Sequence, residues 1–444
     1  MPQSRKVTFR MYPNASVERP ALELMHSLHC RAYNSLLEEH IRRYKDGEPS
    51  FNFPEMCKAV TFWRGYADCL AALNAQSLQV TAKRASLAFA AFFRRFAAGQ
   101  TPGFPRFKSW RRFPGWGYKT HGDGWKLMHE HSILGQGNQY KGTEYGAVRL
   151  SGVGTVQLRG RGRFAGEPKT AEVVRKGDKW YLSVTFDVEE SQLARAGGSQ
   201  SASFDWGIKT LLTMVVGDAL TGEVVTVENP RWLKTKLEKI AVLQKAISAH
   251  ETKAKAASGK QTKFPVNVTL QSLYDRLRKI HGQIARQRQD FYHKLTAALV
   301  QKYGLVVTEK LSVANMVKAP KPKKNEDGTF APNGAAAKAG LNRGILDGAP
   351  AGLLQKLRYK AEEAGSRLEI LPTTMLKPSQ RCCCCGKTTK HDLKERTYRC
   401  ACGNEQDRDV NAARTMLRYA YEGKWWGKKI SPGTGGAADG LVLS

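Results

Sequence analysis

The apolar positions of the chain repeat with two periods, and the changes of period mark changes of architecture. Residues 5–12 alternate as an opening strand that stops at Pro13-Asn14. The spacing then becomes helical, with Leu22, Met25, Leu28, Ala32, Leu36 and Ile41 on one face. A second helical segment starts near Phe53. A third, over about 74–96, turns Leu78, Ala85, Phe89, Phe92 and Phe96 inward. From Gly99 to Trp116 the Pro and Gly residues are too frequent for a helix. Between 146 and 190 the period returns to two: Trp180, Leu182, Val184, Phe186 and Val188 alternate with polar neighbours, and Lys176-Gly177-Asp178 makes a hairpin turn. Together with the opening strand this predicts a small β-barrel interrupted by a helical insert of about 26–100.

Gly197-Gly198-Ser199 reads as a linker to a different pattern. A strand carries Ser203-Phe204-Asp205, and further strands follow at about 210–216 and 222–227. Two long basic helices are expected at about 231–250 and 268–302, with a charged turn, Thr252–Lys263, between them. The buried strand Leu305–Thr308 ends on Glu309. Residues 317–340, rich in Lys, Pro, Ala and Gly, predict a mobile loop. A helix at about 352–364, a strand at 367–371 and an amphipathic helix from Val410 to about Tyr421 close the pattern. The order β-β-β-α-β-α-β-α is that of an RNase H-like domain, so the fold class is α/β and β, in several domains.

Composition narrows the partner. The 444 residues suffice for two or three domains, and Lys+Arg 71 against Asp+Glu 39 leaves a formal net charge of +32. Such an excess points to a polyanion. A membrane surface is the rival, but there is no apolar run of about eighteen residues and no lipidation signal. No targeting segment or internal repeat stands out, and a cytoplasmic, prokaryotic, nucleoid-associated location is expected.

Six of the nine cysteines fall between 382 and 402. Cys382 and Cys385 form a C-x-x-C-G knuckle, and Cys400 and Cys402 offer a second pair, C-x-C, again followed by glycine. Four such sulfurs suit structural Zn²⁺ with no open position; Cys383 or Cys384 can substitute for a neighbour, and disulfides are the competing account. Three acids are placed for different work. Asp205 ends a strand, Glu309 ends another, and Asp407 and Asp409 precede a helix. Singly each has a dull role, as turn residue, ion pair or cap. Converging, they are oxygen ligands for Mg²⁺, two ions of which can activate water and stabilise the leaving oxygen. For nucleic-acid contact the candidates are Asn74, Gln76, Gln79 and Lys83 on the polar face of the third helix, and Arg106, Lys108, Arg111 and Arg112 among the aromatics of the 99–116 loop. A solvated helix face, and a loop packing its aromatics inward, are the plainer readings.

Several motifs occur in order: Phe9-Arg10-Met11-Tyr12-Pro13, Ala32-Tyr33-Asn34, Gly103 to Ser109, Lys179-Trp180-Tyr181, Asp205-Trp206-Gly207-Ile208-Lys209, Glu309-Lys310-Leu311-Ser312, Ser379 to Gly386 and Asp407 to Arg414. In these the chain resembles TnpB, the transposon-encoded RNA-guided nuclease, over about 5–420. The resemblance implies a RuvC nuclease domain with Asp205, Glu309 and Asp409 as the metal-binding acids, Asp409 being chosen over Asp407 because it stands directly before x-Asn-Ala-Ala. It implies a wedge β-barrel (1–25 and 116–196) holding a helical recognition lobe (26–115). The nuclease domain would occupy 197–376 and 407–424, a target-nucleic-acid-binding zinc ribbon 377–406, and a flexible tail 425–444. It also implies a guide RNA from the same locus and a double-stranded DNA target beside a short recognition motif. Phosphodiester hydrolysis would leave a 3′-hydroxyl, with the 317–340 loop gating strand entry. The alternatives are a compact type V CRISPR effector, a guide-directed DNA-binding repressor descended from such a nuclease, and a DDE-type transposase.

Overall fold

A computed structural model describes residues 3–49, 51–128, 146–159, 166–189, 197–258, 266–392 and 395–422. The chain divides into two compact units, 1–193 and 194–444.

The first unit runs β1 (Gln3–Tyr12), α1 (Glu18–Lys45), α2 (Phe53–Tyr66), α3 (Asp68–Ala71), α4 (Ala75–Ala97), β2 (Gly115–Tyr118), β3 (Trp125–Met128), β4 (Ala147–Leu150), β5 (Gly154–Arg159), β6 (Glu167–Lys176) and β7 (Lys179–Val188). The strands form one antiparallel sheet in the order β2-β6-β7-β1-β5-β4-β3; among the described residues its edges β2 and β3 are not paired with each other. The period-two pattern works as read: Trp180, Leu182, Val184, Phe186 and Val188 are all buried, facing a core shared with Phe9, Leu22, Leu36, Leu78 and Phe89. Inside it His29 bridges Thr81 (3.0 Å) and Ser77 (3.2 Å) and stacks on Trp116. Burial holds its pKa down to about 3, so it stays neutral. Phe96 departs from expectation. It is 68% exposed, because α4 runs on past the core after Phe89 and its last turn lies outside.

The second unit runs β8 (Gln200–Trp206), β9 (Thr210–Val216), β10 (Glu223–Glu228), α5 (Leu237–Ser258), α6 (Val268–Lys302), β11 (Tyr303–Glu309), α7 (Val313–Met316), β12 (Lys323–Lys324), β13 (Phe330–Ala331), α8 (Ala335–Gly348), α9 (Pro350–Ala364), β14 (Arg367–Leu371), α10 (Thr373–Leu376), β15 (Thr397–Arg399), β16 (Glu405–Asp407) and α11 (Arg408–Glu422). Its five-stranded sheet has the order β10-β9-β8-β11-β14. The pairs β10–β9 and β9–β8 are antiparallel, whereas β8–β11 and β11–β14 are parallel. Side chains alternate across this sheet. Ala202, Phe204, Trp206 and Val306 face a core with residues of α6 and α9, such as Tyr292, Leu299 and Leu357. On the other face Val215 and Val307 meet Ala413, Met416 and Leu417 of α11.

Three expectations here are corrected. The charged turn Thr252–Lys263 is helical up to Ser258, since α5 continues through it; the remainder lies outside the described residues. The 317–340 stretch is not one loop. A hairpin, β12–β13, closes where Asp327 accepts from the backbone N–H and hydroxyl of Thr329, and alanine-rich helix formers then build α8. Gly197-Gly198-Ser199 is not a free spacer. A Cβ on Gly198 would stand 1.8 Å from the Lys302 carbonyl oxygen, so only glycine lets the chain lie against the start of β11. The expected tail, 425–444, lies outside the described residues.

Candidate metal centres and nucleic-acid contacts

Strand register brings the acids together. Val307 of β11 pairs with Ser203 of β8, and Thr308 donates to the Phe204 carbonyl at 3.2 Å. Two residues further along these parallel strands, Glu309 stands level with Asp205, on the same face as Ser203 and Val307. That face is covered by α11: the Ser203 hydroxyl donates to the Ala413 carbonyl at 2.7 Å. Asp409 lies one helical turn before Ala413 on the same stripe, so it projects towards the strand ends where Asp205 and Glu309 emerge. Its neighbour Asp407 is occupied, its Oδ1 accepting from the N–H groups of Asp409 (2.8 Å) and Val410 (3.2 Å). Asp407 is therefore the helix cap, and Asp409 is left free for other work.

Asp205 feels the other two carboxylates. Asp205 is pushed well above the ordinary carboxylate range, first by burial and then by the charges of Glu309 and Asp409. Burial also raises Glu309, against the hydroxyl of Thr373. Asp409 is raised by burial and by Asp407, with Arg396 and Arg408 acting in the opposite sense. Among the described residues no ion pair neutralises any of the three. Like charges gathered without an ion-pair partner are what a hard divalent cation would relieve, and oxygen donors are the kind Mg²⁺ takes. Among the described residues the three carboxylates do not form a cluster close enough to share one ion, as the four cysteines do.

The Sγ atoms of Cys382, Cys385, Cys400 and Cys402 do all lie within 4.8 Å of one another. Cys382 and Cys402 are 3.6 Å apart and Cys385 and Cys400 3.5 Å. A tetrahedron of sulfurs about 2.3 Å from zinc has edges of about 3.8 Å, so these four fit zinc; a disulfide would need about 2.05 Å. The C-x-C spacing is no obstacle: with the turn at Gly403 (φ 90°) both sulfurs reach the other pair, although Cys402 stays exposed. Cys383 takes another path. Buried, it receives hydrogen bonds from Gln406 (3.0 Å) and Asn404 (3.7 Å), while its own N–H donates to Asn411 Oδ1 (3.1 Å). Asn411, fully buried, also donates to the Arg381 carbonyl (2.7 Å), and so ties the ribbon to the first turn of α11. Sequence reading missed this role for Asn411 and Gln406; their place in the motif after the second cysteine pair was the available signal.

The candidate nucleic-acid contacts all lie in the first unit. Asn74 caps α4 through Ser77 N–H (3.1 Å) and donates to Asp123 (2.9 Å). Gln76 accepts from Thr120 N–H (3.1 Å) and Gln79 from Lys119 (2.7 Å), while Lys83 lies 4.7 Å above the Phe53 ring. These four side chains hold the turn after β2 and the top of α2. Arg106, Arg111 and Arg112 are exposed, and Lys108 is clamped through its backbone by Asn34 at 2.8 and 2.9 Å. Two of the sequence motifs thus meet. Of the loop aromatics Phe113 is buried and Phe104 packs on Phe89 and Phe92, but Phe107 is 56% exposed. No helix among the described residues is long and apolar enough to cross a membrane.

Residues 183–319 match the family model OrfB_IS605, described as a probable transposase, and residues 351–416 match the Cas12f1-like TNB domain. A putative RNA-guided DNA endonuclease, InsQ, of Escherichia coli (strain K12) is 27% identical over 409 residues, covering 91% of this chain and 90% of that protein. A putative RNA-guided DNA endonuclease of Streptomyces pristinaespiralis is 26% identical over 436 residues, covering 96% and 92%. The resemblance to TnpB holds. The first family match spans the strands that carry Asp205 and Glu309, and the second ends two residues past Arg414, so it contains the sulfur cluster and Asp409. Among solved structures, the mini-RNA-guided endonuclease CRISPR-Cas_phi3 aligns with 94% of this chain and 92% of its own at 9% identity and a TM-score of 0.41.

Proposed function

We propose that the chain is an RNA-guided DNA endonuclease of the TnpB type. In this reading the five-stranded sheet with α11 is a RuvC-type nuclease domain, and the four-cysteine segment is its zinc ribbon. The seven-stranded sheet of the first unit is the wedge, with α1–α4 as the recognition lobe. One observation supports the reading: parallel register sets Asp205 and Glu309 level, and α11, bonded to the same face through Ser203 and Ala413, carries Asp409 one turn earlier.

Asp205, Glu309 and Asp409 would hold Mg²⁺, which when bound supplies charge neutralisation and an activated water. The chain's own work is positional. The paired strand ends fix two carboxylates at one height, and the cap at Asp407 and the Asn411 anchor fix the third. The net charge of +32 suits a protein that grips a guide–target heteroduplex by its phosphates and leaves sequence readout to base pairing. Arg106, Arg111 and Arg112, exposed as Phe107 is, would make such contacts in the first unit. In Asp205→Ala, purified with its RNA, cutting of a matched DNA should vanish while RNA binding stays at the wild-type level; equal loss of both refutes the role. The TNB-domain match favours a compact CRISPR effector as the second reading. The co-purifying RNA separates the two, a species ending at a transposon boundary supporting the first and a CRISPR repeat the second.

A further inference from the structure

At Ile208 and Lys209, just after the strand that carries Asp205, the second unit holds a cavity of about 430 Å³. Its walls carry four cations, Lys209, Arg231, Lys234 and Arg396, and among the described residues none of these side chains has an ion-pair partner. Its acid, Asp347, is already committed: it accepts from Leu233 N–H (2.9 and 3.0 Å) and Lys234 N–H (3.4 Å) and pairs with Arg288 at 3.1 Å. The net local charge is therefore strongly positive. Ile208 and Leu341 give part of the wall an apolar surface. Arg231 sits at φ 49°, a left-handed conformation that a side chain with a Cβ rarely adopts. Such strain persists only where the surroundings enforce it. Here Asn229 enforces it, accepting from Arg231 N–H at 3.1 Å and donating to the Ile208 carbonyl at 2.7 Å. The adjacent Trp232 is buried edge-on against Phe291 and Tyr292. Asn229 thus ties Arg231 to the turn at Ile208, three residues after Asp205.

We propose that this cavity is a nucleotide subsite that holds a phosphodiester of the strand being cut, next to the scissile one, with Arg231 and Lys234 on the phosphate and Ile208 and Leu341 against the sugar or base. This rests on the nuclease reading and deepens it, since neither resemblance nor motif assigned Arg231, Lys234 or Asn229. The size agrees, because pockets for small ligands start at about 300 Å³. An apolar wall with convergent cations is also the composition that one nucleotide needs.

The test uses the full chain with its co-purified RNA and the double variant Arg231→Gln/Lys234→Gln. Lys239→Gln/Lys245→Gln, two exposed lysines on α5, serves as the control. Two quantities are read: the steady-state kinetics of cutting a guide-matched single-stranded oligodeoxynucleotide, and the salt dependence of its binding without divalent cation. The expected result is a KM raised about tenfold with kcat changed less than about twofold, and a salt slope smaller by about 1.4, with the control unmoved. An unchanged KM and slope, or an equal change in the control, overturns the subsite while leaving the nuclease standing. Should the wild type cut no DNA, the nuclease reading falls, and a slope equal to that of the control still rejects the cavity as a phosphate site.

Discussion

The sulfur cluster and the carboxylate cluster lie in the same folded unit and are built in opposite ways. The four sulfurs come from residues 382–402, and the segment that carries them is pinned by hydrogen bonds: Asn404 donates to the Cys382 sulfur, Gln406 to that of the neighbouring Cys383, whose N–H donates to Asn411, and the buried Arg418 donates to the carbonyls of Cys383 and Cys384. The carboxylates come from positions 205, 309 and 409, and no ion pair among the described residues braces them. A site meant to hold a fold together spends its hydrogen bonds on its ligands. A site meant to meet a substrate keeps its ligands free, and the surrounding elements hold them at a cost in repulsion.

That contrast breaks most sharply on removal of the zinc. Chelation, or Cys382→Ser with Cys400→Ser, should take bound zinc from about one per chain to none and cost several kcal/mol, since zinc contributes about 10–16 kcal/mol in small finger peptides. Amide exchange at Thr397–Arg399 should accelerate, and cutting should fall with it because α11 loses its anchor. Unaltered exchange at those amides would mean that the ribbon holds without metal. Next in size, Asp409→Asn should lower cutting about 10³-fold or more at an unchanged melting temperature, as expected of a group that acts on the reaction and not on the fold. A parallel fall in stability would place Asp409 with the braced residues.

Asn411→Ala tests the seam between the clusters. It strips partners from Cys383 N–H, Asn404, Gln406 and the Arg381 carbonyl at a fully buried position. Orphaned buried groups cost about 1–3 kcal/mol each, so a loss of about 3 kcal/mol in chemical denaturation is expected, together with reduced cutting. Asp205→Asn should do the reverse for stability. Without divalent cation it removes a buried charge beside two others and should stabilise the chain by about 1 kcal/mol at neutral pH, while abolishing cutting. The sign follows from the raised pKa. Asp205 takes up a proton on folding, so its penalty is absent below the unfolded value of about 3.9 and grows as pH rises towards the folded one. The variant's advantage should therefore disappear near pH 4, and Mg²⁺ should raise the melting temperature of the wild type only.

Much of this was legible in the residues. The alternation from Trp180 to Val188, the helical stripe from Leu22 to Leu36 and the cysteine spacing each follow from local geometry, and each stands in the structure. The trio was read from strand order and from the motifs shared with TnpB, and local pattern alone could not supply it, because the level of Asp205 and Glu309 depends on pairings between β8 and β11 about a hundred residues apart. What escaped was set by context. The 317–340 stretch has a loop's composition, yet a two-residue hairpin and an alanine-rich helix use it. Phe96 has the spacing of a core residue, but the core ends before it. The left-handed Arg231 leaves no trace in a sequence where glycine would be the usual signal.

The smallest effect separates two aspartates that a motif cannot tell apart. Asp407 and Asp409 are two residues apart at the head of α11, and both look like caps. Only Asp407 accepts from the helix amides, while Asp409 faces the strand ends. Asparagine caps about as well as aspartate, so Asp407→Asn should change stability by less than about 0.5 kcal/mol. Cutting should fall no more than about twofold, the cap geometry being kept. Asp407→Ala removes the cap itself and should cost about 1 kcal/mol, with a modest loss of cutting as the first turn of α11 frays. Side-by-side rates for Asp407→Asn and Asp409→Asn thus measure how completely the work is divided. If Asp407→Asn proved as inactive as Asp409→Asn, the carboxylate at 407 would itself be a ligand, and the braced and unbraced clusters would overlap at the first turn of the helix.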